Sequence, residues 1–320
     1  MLDALAAYRR SAGSLVPLKT TRHITSHPPH SGVESFPRMA TEKLYGPVNK
    51  NVVVPKLLAY PDLRSSTDLL FRDQVDTLNL ASAPSNTLDD LERLCTAIEN
   101  RPAIGADYPH LFDRLGGFIA RAKSPSETFE KCRNEYEILA AIPPRSINIA
   151  EGFDEFAEAL NTVHRSYGVS AAGFRKVEIK LMPDDRGNSI SYPSHRLVKP
   201  LLRSLHTFLV SHLHEHPTFC AAAAYVGIIH AHPFLDGNGR TARTLYNLIL
   251  RDYAETEHFI ALRQIAAVSN GGFLIRLRRT LYLGDWKAIQ EFFSDAIRLS
   301  IDVLKVRSEN DGQLNLHEQR

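Results

Sequence analysis

Several classes of protein are excluded by what this 320-residue chain has little of. Its three cysteines, Cys95, Cys132 and Cys220, are odd in number, far apart and in no CxxC pattern. That argues against a disulfide scaffold or a zinc knuckle and suits a reducing compartment. No apolar run approaches the roughly 18 residues of a membrane span. An excess of one charge is also missing: 38 Lys+Arg against 36 Asp+Glu leave a net +2, too even for a coat on nucleic acid or anionic lipid. The opening MLDALAAYRRSAG sets its arginines after a short apolar stretch, the reverse of a secretory signal, so a cytoplasmic setting is expected. What the chain does have is 43% hydrophobic residues, enough for a real core.

The pattern along the chain divides it into four segments. Residues 1–65 read as a loosely structured arm: seven prolines fall between Pro17 and Pro61, X-Pro bonds block long helices, and only PKLLAYPDL looks packable. Residues 66–145 form a helical region. Within it Leu88, Leu91, Leu94, Cys95 and Ile98 share one face behind a cap at Thr87, and a second helix opens at Ser126. Residues 146–305 carry the main helical domain, with helices over 152–167, 195–214, 218–230 and 239–253, and again from Phe273 and from Trp286. Residues 306–320 read as a polar, frayed tail. One stretch breaks the helical pattern. KVEIKLMPDDRGNSISY alternates Val177, Ile179 and Leu181, passes a turn cluster and resumes at Ser189-Ile190-Ser191, a β-hairpin signal. The expected fold is mainly α.

Chemistry concentrates in HPFLDGNGRTAR, His232 to Arg243. Glycines before a helix let the backbone turn its N–H groups inward, and the helix start adds positive potential, so Gly237, Asn238 and Gly239 make an anion cradle. Arg240 and Arg243, three apart, share a helical face and can reach further phosphates. Asp236 beside the cradle suits Mg²⁺, which takes one or two carboxylates and leaves the remaining positions to phosphate and water. A rim histidine with an ordinary pKa near 6.5 can take a proton from a hydroxyl. Phe234 is read as core, Pro233 as geometric and His230 as a buried helix residue. His23, His27 and His30 carry no functional claim. The histidines from His206 to His216 read as a solvated face.

This segment resembles the Fic (filamentation induced by cAMP) signature HPFx[D/E]GNGRxxR at every specified position. Gly173-Phe174-Arg175 looks like that family's lead-in to a flap, and the hairpin through Ile190 looks like the flap. The resemblance implies a mainly α, Fic-type helical bundle over 146–305 that transfers AMP from ATP to a Ser, Thr or Tyr hydroxyl of a target protein. His232 would be the base and Asp236 the Mg²⁺ ligand. Asn238 and the N–H groups of Gly237 and Gly239 would hold the α- and β-phosphates, Arg240 the β-phosphate region and Arg243 the γ-phosphate. Gly239 favours nucleotidyl transfer over the branch that has Lys there and phosphorylates. Target segments would add as a strand beside Ile190.

Many members of the family carry an inhibitory helix with [S/T]xxxE[G/N], whose glutamate pairs with the second signature arginine. CTAIEN, Cys95 to Asn100, matches except at Cys95, and assigns that role to Glu99 against Arg243. Glu151 in NIAEG is a weaker match. A nucleotide-sensing regulatory protein with a degenerate or AMP-removing site is the alternative reading. Nucleic acid and membrane are not expected partners. Donors other than ATP, self-association, and delivery into a host cell are left open.

Overall fold

The computed structural model describes residues 15–17, 52–53, 57–61, 63, 88–100, 107–111, 125–146, 148–169, 173–181, 189–256, 258–269 and 271–318. The described residues are mainly helical. The helices are α1 (Leu88–Asn100), α2 (Pro125–Ala141), α3 (Phe153–Arg165), α4 (Val198–His212), α5 (Pro217–Ala231), α6 (Asn238–Tyr253), α7 (Leu262–Val268), α8 (Gly272–Leu283) and α9 (Trp286–Glu318). The short α7 has no counterpart in the sequence expectation. The tail also differs: the backbone stays helical to Glu318 rather than fraying near residue 306. Extending a helix adds one hydrogen bond per residue without a new nucleus, so a polar end can continue one that packing has started.

α5 lies at the centre. Proline at its first turn suits its start, and nearly every one of its residues is buried, as its apolar sequence requires. Ala221 to Ala224 are fully buried and small, which lets α4 and α6 pack closely on either side. α3 shows the opposite pattern. Phe156, Leu160 and Val163 form a buried stripe, and Asp154 and Glu155 in its first turn and Arg165 in its last match the helix dipole. α3 and α2 both pack on α6. The signature helix is therefore braced by three neighbours.

Part of the arm reaches this core. Leu58 and Leu63 are buried, Tyr60 stacks on Phe208 with ring centroids 4.9 Å apart, and the Trp286 indole donates to the Ala59 carbonyl at 2.8 Å. Two more arm segments are strands. β1 (Leu15–Pro17) pairs antiparallel with β3 (Ile179–Leu181), and β2 (Val52–Val53) pairs parallel with β4 (Ser189–Ile190). β3 and β4 meet through one antiparallel bridge, Lys180 to Ser191, and through the Tyr192 N–H donating to Ile179 O at 3.2 Å. The turn at 182–188 lies outside the described residues. The Ile190 edge expected to receive a target strand is thus already paired with Val52–Val53.

Candidate active site

The site forms where α5 ends and α6 begins. His232 caps α5 in the left-handed conformation, φ 46°, which turns the chain sharply out of the helix. For a non-glycine residue this costs about 1 kcal/mol or more, so its surroundings must hold it there. Arg175 does much of the holding. Its buried guanidinium donates to His232 O at 2.8 Å, to Val177 O at 2.9 Å and to Pro193 O, while its own N–H donates to Pro233 O at 2.7 Å. One side chain thereby ties the approach to β3 and the exit from β4 to the end of α5. A guanidinium's five donors in a fixed fork suit this task.

The His232 ring is 6% exposed and stacks on Tyr192 at 3.6 Å between centroids. Its Nδ1 is 3.4 Å from Ile229 O, and its buried Nε2 has no hydrogen-bond partner. Burial pushes its pKa down to about 3, with the Arg175 charge adding to the effect. The imidazole is therefore neutral. With Nδ1 protonated toward Ile229 O, the lone pair stands on Nε2. His230 is buried without partners for either nitrogen, and burial lowers its pKa to about 4.

Beyond His232 the chain folds into a tight loop. Asn238 Oδ1 accepts from Phe234 N at 2.9 Å and its Nδ2 donates to Phe234 O at 2.8 Å. The Asn238 amide is 2% exposed and closes the loop, because both buried backbone groups of Phe234 need partners. Gly237 caps α6 at φ 82°, a conformation natural to glycine. His164 on α3 also belongs to the site. Its ring stacks on Phe234 at 3.8 Å, its Nε2 bonds Asp236 O at 2.9 Å, and burial lowers its pKa, so it supports the loop from beneath as a neutral donor. Nothing in the sequence of α3 separates this histidine from a surface one.

Above the loop stand the charged groups. The Asp236 side chain is 74% exposed and bonded to Arg240 at 3.1 Å, and Arg240 lies 5.1 Å over the Tyr167 ring. An exposed carboxylate at the mouth of an N–H cradle fits a hard cation such as Mg²⁺. Arg243 is different, with its side chain 13% exposed and bound to Glu135 on α2. Its Nε donates to Oε2 at 2.8 Å and its Nη2 to Oε1 at 2.5 Å. Burial alone would lower the guanidinium pKa, but the Glu135 carboxylate outweighs it and raises it. Arg263 on α7 donates to the same Oε1 at 2.9 Å. Glu99 sits on α1 with its side chain outside the described residues; the carboxylate seen on Arg243 is that of Glu135. A signal for Glu135 did exist. Cys132, Glu135, Tyr136 and Leu139 follow the i, i+3, i+4, i+7 spacing of a core-facing stripe, which places a charge among apolar neighbours.

Comparison with known proteins finds several similarities. A stretch of 35 residues is 54% identical to the proteins called Protein adenylyltransferase Fic of Drosophila grimshawi and Drosophila erecta, covering 11% of this chain and 7% of theirs. Among solved structures, a Fic family protein from Desulfovibrio desulfuricans matches with 15% identity over 78% of each chain and a TM-score of 0.47. Fic-1 from C. elegans matches with 18% identity over 76% of this chain and 72% of that one, at 0.46. BepC from Bartonella tribocorum, solved with bound AMPPNP, matches with 16% identity over 61% and 97%, at 0.38. The Fic/DOC family matches residues 155–250, from within α3 to within the last turn of α6, which encloses every signature residue described above. Residues 155–250 are thus the part of the chain that is similar to the Fic/DOC family.

Proposed function

We propose that this chain is a Mg²⁺-dependent protein adenylyltransferase. The observation that carries the reading is the placement of a neutral His232, its Nε2 lone pair unused, at the foot of a glycine-capped helix bearing Arg240 and Arg243. His232 Nε2 takes the proton of a target Ser, Thr or Tyr hydroxyl. That oxygen attacks the α-phosphorus of ATP, the bond to the β-phosphate oxygen breaks, and pyrophosphate leaves. N–H groups at the start of α6 stabilise the charge that builds on the α- and β-phosphates. Arg240 and Arg243 neutralise the phosphates farther out. Asp236 would hold Mg²⁺, which would neutralise charge on the phosphates and orient them.

Two parts of the reading concern restraint and targeting. Glu99 on α1 competes with the γ-phosphate for Arg243 and keeps the resting enzyme slow. A target segment adds beside Ile190, and because Val52–Val53 occupies that edge it must first displace β2. A second reading has one observation in its favour. Tyr192 covers His232, which suits a site at rest and a protein that senses nucleotide rather than transferring it.

Incubation of the full chain with α-phosphate-labelled ATP and Mg²⁺ separates the two. Transferase action labels protein, and His232→Ala abolishes the label while ATP binding persists. Nucleotide binding without label in either protein supports the sensor.

A further inference from the structure

We propose that Glu135 is a positioning residue that aims Arg243 into the phosphate cradle, a step that rests on the adenylyl-transfer reading above. The guanidinium has two usable edges. Glu135 takes the one formed by Nε and Nη2, with Nε donating to both carboxylate oxygens at 3.0 and 2.8 Å. The remaining nitrogen, Nη1, lies at the cradle: a methyl group built on Gly239 would stand 3.3 Å from it. Among the described residues Nη1 makes no hydrogen bond. The carboxylate therefore stands behind the arginine and leaves its forward edge to the loop.

The surroundings of Glu135 favour a fixed support over a removable block. It is 2% exposed, and Arg263 grips the same oxygen through Nε at 3.0 Å and Nη2 at 2.9 Å. Withdrawing the carboxylate would leave two half-buried guanidinium groups uncompensated. Two arginines around one carboxylate also keep a net charge of +1, so the forward edge still attracts an anion. A bidentate grip fixes direction as well as charge, which a flexible arginine needs in order to read one phosphate of a chain.

The test uses the full chain carrying His232→Ala and Glu99→Gly, which removes transfer and the competing carboxylate. Dissociation constants for ATP and for ADP, each with Mg²⁺, are measured by calorimetry. The parent should prefer ATP, since only ATP presents the γ-phosphate that Arg243 meets. Glu135→Asp keeps the charge but shortens the reach. The pair Glu135→Gln, Arg263→Gln keeps the net +1 and avoids two unpaired arginines, so folding does not depend on one variant. Both should lose about tenfold of the ATP-over-ADP preference, the scale of one charge-assisted hydrogen bond, with ADP affinity within about twofold of the parent. A merely structural role would weaken ATP and ADP alike. An unchanged preference overturns the proposal, and a rise in ATP affinity would make Glu135 a block instead. A parent that binds ATP and ADP equally removes the γ-phosphate role of Arg243 and the proposal with it. A parent that binds neither defeats the adenylyl-transfer reading itself.

Discussion

A histidine acting as a base needs a lone pair and access to a hydroxyl, and His232 has the first while Tyr192 covers the second. A pKa near 3 makes a weak base at neutral pH, so uncovering the ring by a shift of Tyr192 would expose it to water and raise its basicity together. Restraint can also act on the donor side. Glu135 holds the rear edge of Arg243, and in the proposed function the Nη1 edge is the one that Glu99 and the γ-phosphate contest. Glu99→Gly is therefore expected to raise self-modification with ATP and Mg²⁺ about ten- to hundredfold, the range of a partly buried, charge-assisted contact. Adding Arg243→Ala should erase the gain, and Glu151→Gly should do little. A Glu99→Gly protein as slow as the parent beside a fast Glu151→Gly protein would assign inhibition to the wrong glutamate.

Elements, more than single side chains, decide how a target could approach. β3 and β4 lie between two arm strands, and Arg175 fastens their inner ends to the turn that holds His232. Whatever moves these strands is thus felt at His232. Tyr60 and Trp286 pack the arm onto α4 and α9 a few residues after β2, which keeps Val52–Val53 close to β4. A proposed incoming strand has to exchange with β2, and such an exchange trades one ladder of backbone hydrogen bonds for another at little net cost. Ile190→Asp puts a charge into that ladder. It should lower protein labelling at least tenfold while ATP affinity stays within about twofold, read by labelling and by calorimetry on one preparation. Equal loss of both would mean that the substitution disturbs the domain.

At the scale of the whole molecule, buried neutral histidines link stability to pH. His230 and His232 have pKa values pushed down to about 4 and about 3, against about 6.5 in an unfolded chain. Between those limits the unfolded state binds more protons, so stability falls as pH drops from about 6.5 toward 4, by about 1.4 kcal/mol per pH unit for each histidine. Denaturant midpoints between pH 7 and 5 should show this slope, and His230→Phe should reduce it by about one proton; an unchanged slope would mean that His230 is already charged in the native state. Much of the architecture was legible beforehand, because helix periodicity is local: the stripe of α3, the wholly apolar α5 and the glycine start of α6 each state their burial in consecutive residues. That His232, Asp236, Gly237, Gly239, Arg240 and Arg243 lie together was legible for the same reason, since one loop and one helical turn hold all six. Tertiary structure alone decided what is joined from a distance. Glu135 meets Arg243 across 108 positions, His164 meets Asp236 across 72, and Val52–Val53 finds Ser189–Ile190 from the other end of the chain. A carboxylate, an imidazole or a strand edge carries no local sign of its partner, and only the packing of the core selects which one it meets.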